Sequence, residues 1–312
     1  MRYQIAMITG LLITVSACGR HDASELASVE TTPREYWEAI APTCSGYPAK
    51  ADCDDGDMAL FSGLLCASGD ARGCAQVRNA QGSDGRWWRS PRRNPDNLGE
   101  AHSFSRDMSM GVLLYLAATR DADAATRWLS WIEDNRPCLL WKPFGGGCQI
   151  RGPHRFCTDD SGGSCNLTPG NWGLMGRVFQ FLGLPRSDEM RLYDNADGEL
   201  LWLEAQNAPL GYETHLPAVE VLLKQILDSS RDNAEKAARI LVDRQPDNPF
   251  FVYLKDGPTA AVRRRLFDLC PSFEAPSLGS RHQWAWERDT ADQAWRDSAG
   301  WDCLFLANLV AD

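Results

Sequence analysis

Eleven cysteines punctuate a chain of 312 residues, and their placement limits the fold more than any other feature. Cys18 stands apart near the N-terminus. Ten lie downstream of it: Cys44, Cys53, Cys66, Cys74, Cys138, Cys148, Cys157, Cys165, Cys270 and Cys303. No Cys-x-x-Cys occurs and no cysteine stands with histidine at zinc-ligand spacing, so disulfides are favoured and no metal site is expected. Sequence does not dictate the connectivity, but proximity favours Cys44 with Cys53, Cys66 with Cys74, Cys138 with Cys148, Cys157 with Cys165, and Cys270 with Cys303.

The odd cysteine ends a leader. Met1-Arg2-Tyr3-Gln4 is followed by an apolar run from Ile5 to Val15, the layout of an export signal. The run falls short of the roughly 20 residues that span a bilayer comfortably. Val15-Ser16-Ala17-Cys18 resembles the lipobox of bacterial lipoprotein signals. That resemblance implies a signal peptide over residues 1–17, removal just before Cys18, and acyl chains such as palmitate on its thiol. It places the chain in a bacterial cell envelope, held on the membrane by its N-terminal lipid. Gly19 favours the outer membrane over the inner. The alternative is an ordinary secretory signal, with Cys18 left as a structural thiol. Residues 18–33 are polar, lack a periodic apolar face and end at Pro33, which reads as a tether. The folded domain is expected over residues 34–312.

A formal net charge of −10 and the lack of a long Lys/Arg run argue against a nucleic-acid binder, as export does. No cofactor motif is present. The loop Asp52-Cys53-Asp54-Asp55-Gly56-Asp57 suggests calcium, but Gly63 occupies the place of the distal glutamate. The glycine-rich segment between Cys157 and Cys165 lacks the lysine of a phosphate loop. Segment 86–93, Arg-Trp-Trp-Arg-Ser-Pro-Arg-Arg, offers Trp87, Trp88 and Arg89 for stacking on sugar rings and binding carboxylates. The same tryptophans could instead plug the core.

Helical patterns dominate and come in pairs joined by short connections, which makes neighbours antiparallel. The expected helices are Ser105–Thr119 and Ala122–Asn135, Pro169–Leu182 and Ser187–Asn207, Glu213–Leu227 and Asp232–Arg244, Pro249–Leu254 and Pro258–Leu269, and a last one from about Thr290 to Leu309. Alternating β patterns are scarce. The segment from Asp57 to Ala71 can be laid, with one gap, over Asp107 to Ala122, each reading Asp-Met, a glycine- and leucine-rich helix, then a turn at aspartate. Such a repeat suggests helical hairpins, with apolar inner helices such as Met110–Ala118 and amphipathic partners such as Ala234–Arg244.

Hairpins with an acidic residue at the start of a Gly- and Leu-rich inner helix resemble the six-hairpin glycosidases. The likeness rests on Asp57-Met58, Asp107-Met108 and the hairpin rhythm from about residue 34 to 309. It implies an all-α fold, an α/α toroid or an incomplete ring of antiparallel helical hairpins braced by disulfides, with carboxylates around a cleft. Glycoside cleavage needs an acid and a second carboxylate facing one site. Asp57 and Asp107 form the first pair, and the positive ends of their helices favour the ionised form, which suits a base. Glu213 is the candidate proton donor, with His215 beside it. Arg281, His282, Trp284, Trp286 and Glu287, in one aromatic and charged run, are candidates for lining a sugar cleft or for sealing the end of the fold. Two functions follow as expectations: a lipid-anchored envelope protein that binds or hydrolyses a polysaccharide, and a non-enzymatic lipoprotein that binds a protein partner, as a toxin-neutralising or assembly factor.

Overall fold

The computed structural model describes residues 32–50, 53–54, 56–92, 102–160, 163–194, 196, 200–227, 231–272 and 291–311. Helix α1 (Pro33–Ile40) is capped by Thr32 with Glu35 closing a capping box, so this helix starts one residue before the expected boundary at residue 34. A small antiparallel ladder, β1 (Thr43–Cys44) with β2 (Tyr47–Pro48), leads to α2 (Met58–Ala67) and α3 (Ala71–Ala80). Then come α4 (Arg106–Thr119) and α5 (Ala122–Asp134), a hairpin of β3 (Cys138–Trp141) and β4 (Cys148–Arg151), and α6 (Pro169–Phe181). Helices α7 (Asp188–Leu192), α8 (Leu201–Asn207), α9 (Tyr212–Ile226), α10 (Arg231–Arg244), α11 (Pro249–Asp256), α12 (Ala260–Leu269) and α13 (Ala291–Leu309) complete the chain.

Caps explain why the helical boundaries follow the sequence. Ser105, Asp121, Thr168 and Thr259 each accept a backbone N–H at the start of α4, α5, α6 and α12. One expected helix is corrected: Ser187–Asn207 is two helices, α7 and α8. The intervening Asp194-Asn195-Ala196-Asp197-Gly198 is rich in turn formers. Asp194 turns its carboxylate to Arg186.

The inner and outer helices differ as their sequences demand. Every residue from Met58 to Cys66 of α2, and from Met108 to Ala117 of α4, is buried. The two helices touch through backbone, because a Cβ on Gly63 would overlap the Gly111 carbonyl and one on Gly111 would overlap that of Ala59. Helix α4 also packs on α6 and α9, while α1 lies against α13. The indole N–H of Trp37 donates to the Pro271 carbonyl at 2.8 Å, and that of Trp301 to the Pro42 carbonyl at 2.6 Å, tying the two ends of the domain together.

All five disulfides join the cysteines that proximity pairs. Residues Thr32–Asp312 form one compact unit with its own core and all five bridges, which equips it to fold without the preceding residues. No helix among the described residues is long and apolar enough to cross a membrane.

Candidate active site

The starts of four helices line two adjoining cavities that make up one cleft region. A cavity of about 520 Å³ is lined by Asp57, Leu60 and Phe61 at the start of α2, by residues from His102 to Met108 leading into α4, and by Tyr212, His215, Leu216 and Val219 of α9, with Arg89 and Ser164 from loops. A second cavity of about 410 Å³ adds the start of α6 (Thr168–Asn171), Leu200, Leu201 and Glu204 of the α8 region, and Glu220 of α9. Arg106, Asp107 and Leu216 line both, so Asp107 stands where the two meet.

Neither aspartate serves as a helix cap. Asp57 occupies the cap position of α2 but makes no side-chain cap bond. Its Oδ2 instead accepts from Lys50 Nζ at 3.0 Å, and its Oδ1 lies 3.4 Å from Arg89 Nη1. Lys50 is buried at 2 % exposure and also reaches Asp54 Oδ2 at 2.8 Å. Burial works against its charge, yet Asp57 and Asp54 outweigh that cost and hold the ammonium above its ordinary range. Arg89 is pinned in turn: its Nη1 donates to Gly56 O at 2.9 Å and its Nε to His102 O at 2.7 Å.

Asp107 lies in the first turn of α4, where Ser105 is the cap. Burial, and then the neighbouring Asp57 carboxylate, push the Asp107 carboxyl above the usual carboxylate range, although Arg106, Arg89 and His102 pull the other way. That direction runs against the expectation that the helix dipole favours the ionised form of Asp107, since a dipole acting at a first turn is outweighed by loss of water. In the second cavity, burial likewise raises the Glu204 carboxyl. Glu220 Oε1 lies 3.7 Å from Lys224 Nζ.

From the loop closed by Cys157 and Cys165, Ser164 lines the first cavity. Asp159 accepts from the Ser103 amide at 2.9 Å and the Ser103 hydroxyl at 2.8 Å, and it pairs with Arg86 at 3.0 Å. Those bonds hold the loop beside the segment that carries His102.

Of the residues singled out from sequence, the cleft brings together Asp57, Asp107, Arg89 and His215. His215 is buried, with its ring 4.9 Å from that of Phe251. Glu213 is exposed and lines neither cavity, because two residues' rotation along α9 separates it from His215. Trp87 belongs to the core: it is fully buried, donates to Val77 O at 2.8 Å and meets Trp128 edge to face at 5.4 Å. Trp88 is half-buried beneath the Arg86 guanidinium, 4.1 Å from its ring, and is absent from both linings. Arg281, His282, Trp284, Trp286, Glu287 and Cys18 lie outside the described residues. His102, Arg106 and Lys50 escaped the sequence reading. The first two precede Asp107-Met108 in a polar run and could have been found from that position, whereas Lys50 reaches Asp57 only through the fold.

Among the described residues, two clusters carry metal-ligand atoms. In one, His102 faces Cys157 and Cys165, whose sulfurs are joined in a disulfide and are not thiolates. In the other, His154 Nε2 lies 3.0 Å from Glu133 Oε2 and 3.8 Å from Glu189 Oε1. No protein-family model, curated protein or solved structure matches the chain.

Proposed function

We propose that this chain is a lipid-anchored cell-envelope protein whose cleft binds and hydrolyses a glycan. The observation that carries the reading is a pair of carboxylates facing one cleft in opposite surroundings. Such a pair divides the work of acid and base. Asp107, with its raised affinity for a proton, donates to the leaving glycosidic oxygen. Asp57, flanked by Lys50 and Arg89, faces the developing positive charge on the sugar and orients the attacking water. The proton-donor role expected of Glu213 thus passes to Asp107. Phe61 and the half-exposed Tyr212 offer apolar faces to a sugar ring, and Glu204 and Glu220 offer acceptors for hydroxyl groups in the adjoining cavity.

The helices fit an incomplete α/α ring. The starts of α2, α4, α6 and α9 point at the cleft, α3, α5 and α10 are their amphipathic partners, and α13 links α1 to α2. The lipid on Cys18 rests on the lipobox alone, and the tether after it would let the domain reach polymers near the membrane.

The test is turnover on a panel of envelope and host polysaccharides, read as reducing ends released. Asp107→Asn is expected to lower the rate by about 10²–10⁴-fold, the usual worth of a positioned acid. Unchanged turnover removes Asp107 from the mechanism. A wild-type chain that neither binds nor cleaves any polysaccharide, yet captures a protein of the envelope, would establish the non-enzymatic reading instead.

A further inference from the structure

The hairpin formed by β3 and β4 has no place in the cleft and contradicts the habits of a soluble surface. Residues 139–147 are exposed without interruption. Among them and on the returning strand, Leu139 is 65 %, Leu140 46 %, Trp141 68 %, Phe144 108 % and Ile150 50 % exposed. Both faces of the ribbon are therefore open, and both carry apolar side chains. Isolated two-stranded hairpins are marginal in water, and this one is closed by Cys138–Cys148 and turned by Gly145, Gly146 and Gly147. A rigid, projecting, apolar ribbon does nothing for the core.

Its charge points to what covers it. Between Asp134 and Asp159 the sequence has no acidic residue and carries Arg136, Lys142, Arg151 and Arg155, in a chain whose net charge is −10. Lys142 and Arg151 are exposed beside the apolar side chains. Arg136 and Arg151 are held at the base, through Gly152 O at 2.9 Å and Glu133 O at 3.2 Å.

We infer that this hairpin is a membrane-contacting wedge, which places Trp141, Phe144 and the flanking leucines among the headgroups of an anionic lipid bilayer. A protein groove covers one face of a ribbon, whereas a lipid interface surrounds both. Tryptophan and phenylalanine toward the tip, with Lys142 between them and Arg151 at the base, match an interface of apolar boundary and negative surface. The outer edges of two paired strands keep unpaired backbone groups, so the ribbon stops at headgroup depth and does not enter the hydrocarbon. This contact is independent of the cleft and of Cys18, and it would hold the domain in a fixed orientation on the membrane.

The test uses the chain from Gly19 onward, which omits the leader and Cys18 and keeps the whole compact unit. Cosedimentation with vesicles of phosphatidylglycerol and phosphatidylcholine should exceed that with phosphatidylcholine alone, and should weaken with salt. Phe144→Asp is expected to reduce the association by about tenfold or more, the scale of withdrawing one aromatic side chain from an apolar phase. Trp141→Ser should act in the same direction, and neither should move the melting temperature, because both side chains are exposed. Lys142→Glu with Arg151→Glu should abolish the preference for phosphatidylglycerol. Failure of the wild-type chain to bind, or equal binding by Phe144→Asp and Trp141→Ser, overturns the inference. So does a dimer in solution that Phe144→Asp dissociates while vesicle binding stays unchanged.

Discussion

Asp57 and Asp107 each stand beside a methionine at the start of a buried, glycine-containing helix, and those helices press their glycines together, yet the two carboxylates live in different electrostatic worlds. The helix dipole acts on both with similar strength, about 0.3–1 kcal/mol. What differs comes from elsewhere in the chain. Lys50, after β2, and Arg89, after α3, reach Asp57. Among the described residues no hydrogen bond to the Asp107 carboxyl is seen, and burial, with the Asp57 carboxylate second, raises its proton affinity. The comparison teaches that two similar Asp-Met helix starts place two groups, while their dissimilar neighbours give each its own surroundings.

The largest effect should come from removing each carboxylate in turn. Beyond the loss of turnover expected for Asp107→Asn, the pH profiles should separate the two roles. If Asp107 is the acid, the wild-type rate falls as pH rises through its elevated titration point. Asp57→Asn should lower the rate while keeping that alkaline limb, because Asp107 remains. Loss of the limb in Asp57→Asn, measured as kcat against pH, would show that the asymmetry has been assigned the wrong way round.

Next in size is the contact that brings the two helices together. Gly111→Ala would gain up to about 1 kcal/mol on an open helix. Here the added methyl meets the backbone of Ala59 and Leu60, and the expected outcome is a loss of about 3 kcal/mol, read from the urea midpoint. An unchanged midpoint would mean that α2 and α4 do not touch through backbone, and Asp57 and Asp107 would then have no fixed separation.

Helix α4 and its successors α5 and α6 were legible because local signals agree with the global fold. Ser105 before Arg106, Asp121 before Ala122, and Thr168-Pro169 mark helix starts by cap chemistry, and unbroken apolar runs mark inner helices. The disulfides were legible because each pairs cysteines that are near in the chain or close its end. The β3–β4 hairpin was not, since its residues are exposed on both faces and show no period-2 alternation. Nor was the fate of segment 86–93. One tryptophan enters the core, the next lies under an arginine, and Arg89 faces the cleft, a division decided by contacts with Val77, Asp159 and His102. Lys50 carried no local signal at all.

That lysine offers a finer probe of the Asp57 side. Lys50→Met removes the ammonium 3.0 Å from Asp57 and should cost about 2–3 kcal/mol, less than a fully buried pair because Asp54 is half in water. The loss should shrink when Asp57→Asn is already present, a coupling that thermal melts of the single and double variants would measure. Additive losses would mean that Lys50 and Asp57 do not hold each other.

The smallest effect is also the most discriminating, because its sign is opposite for the two aspartates. The folded chain binds a proton at Asp107 more tightly than the unfolded chain does. That contribution to stability is complete below the ordinary aspartate range and is lost as pH rises through the elevated folded value. Asp107→Asn cannot ionise, so it should match the wild type in acid and exceed it near neutral pH by about 1 kcal/mol, the scale of a single stabilising substitution at a functional site. Asp57→Asn should do the reverse near neutral pH, since it takes one anionic contact from each of Lys50 and Arg89 while Lys50 keeps Asp54. Urea midpoints of the three chains from acid to neutral pH decide the matter. If both variants shift stability in the same direction at neutral pH, the two carboxylates do not differ as their surroundings require.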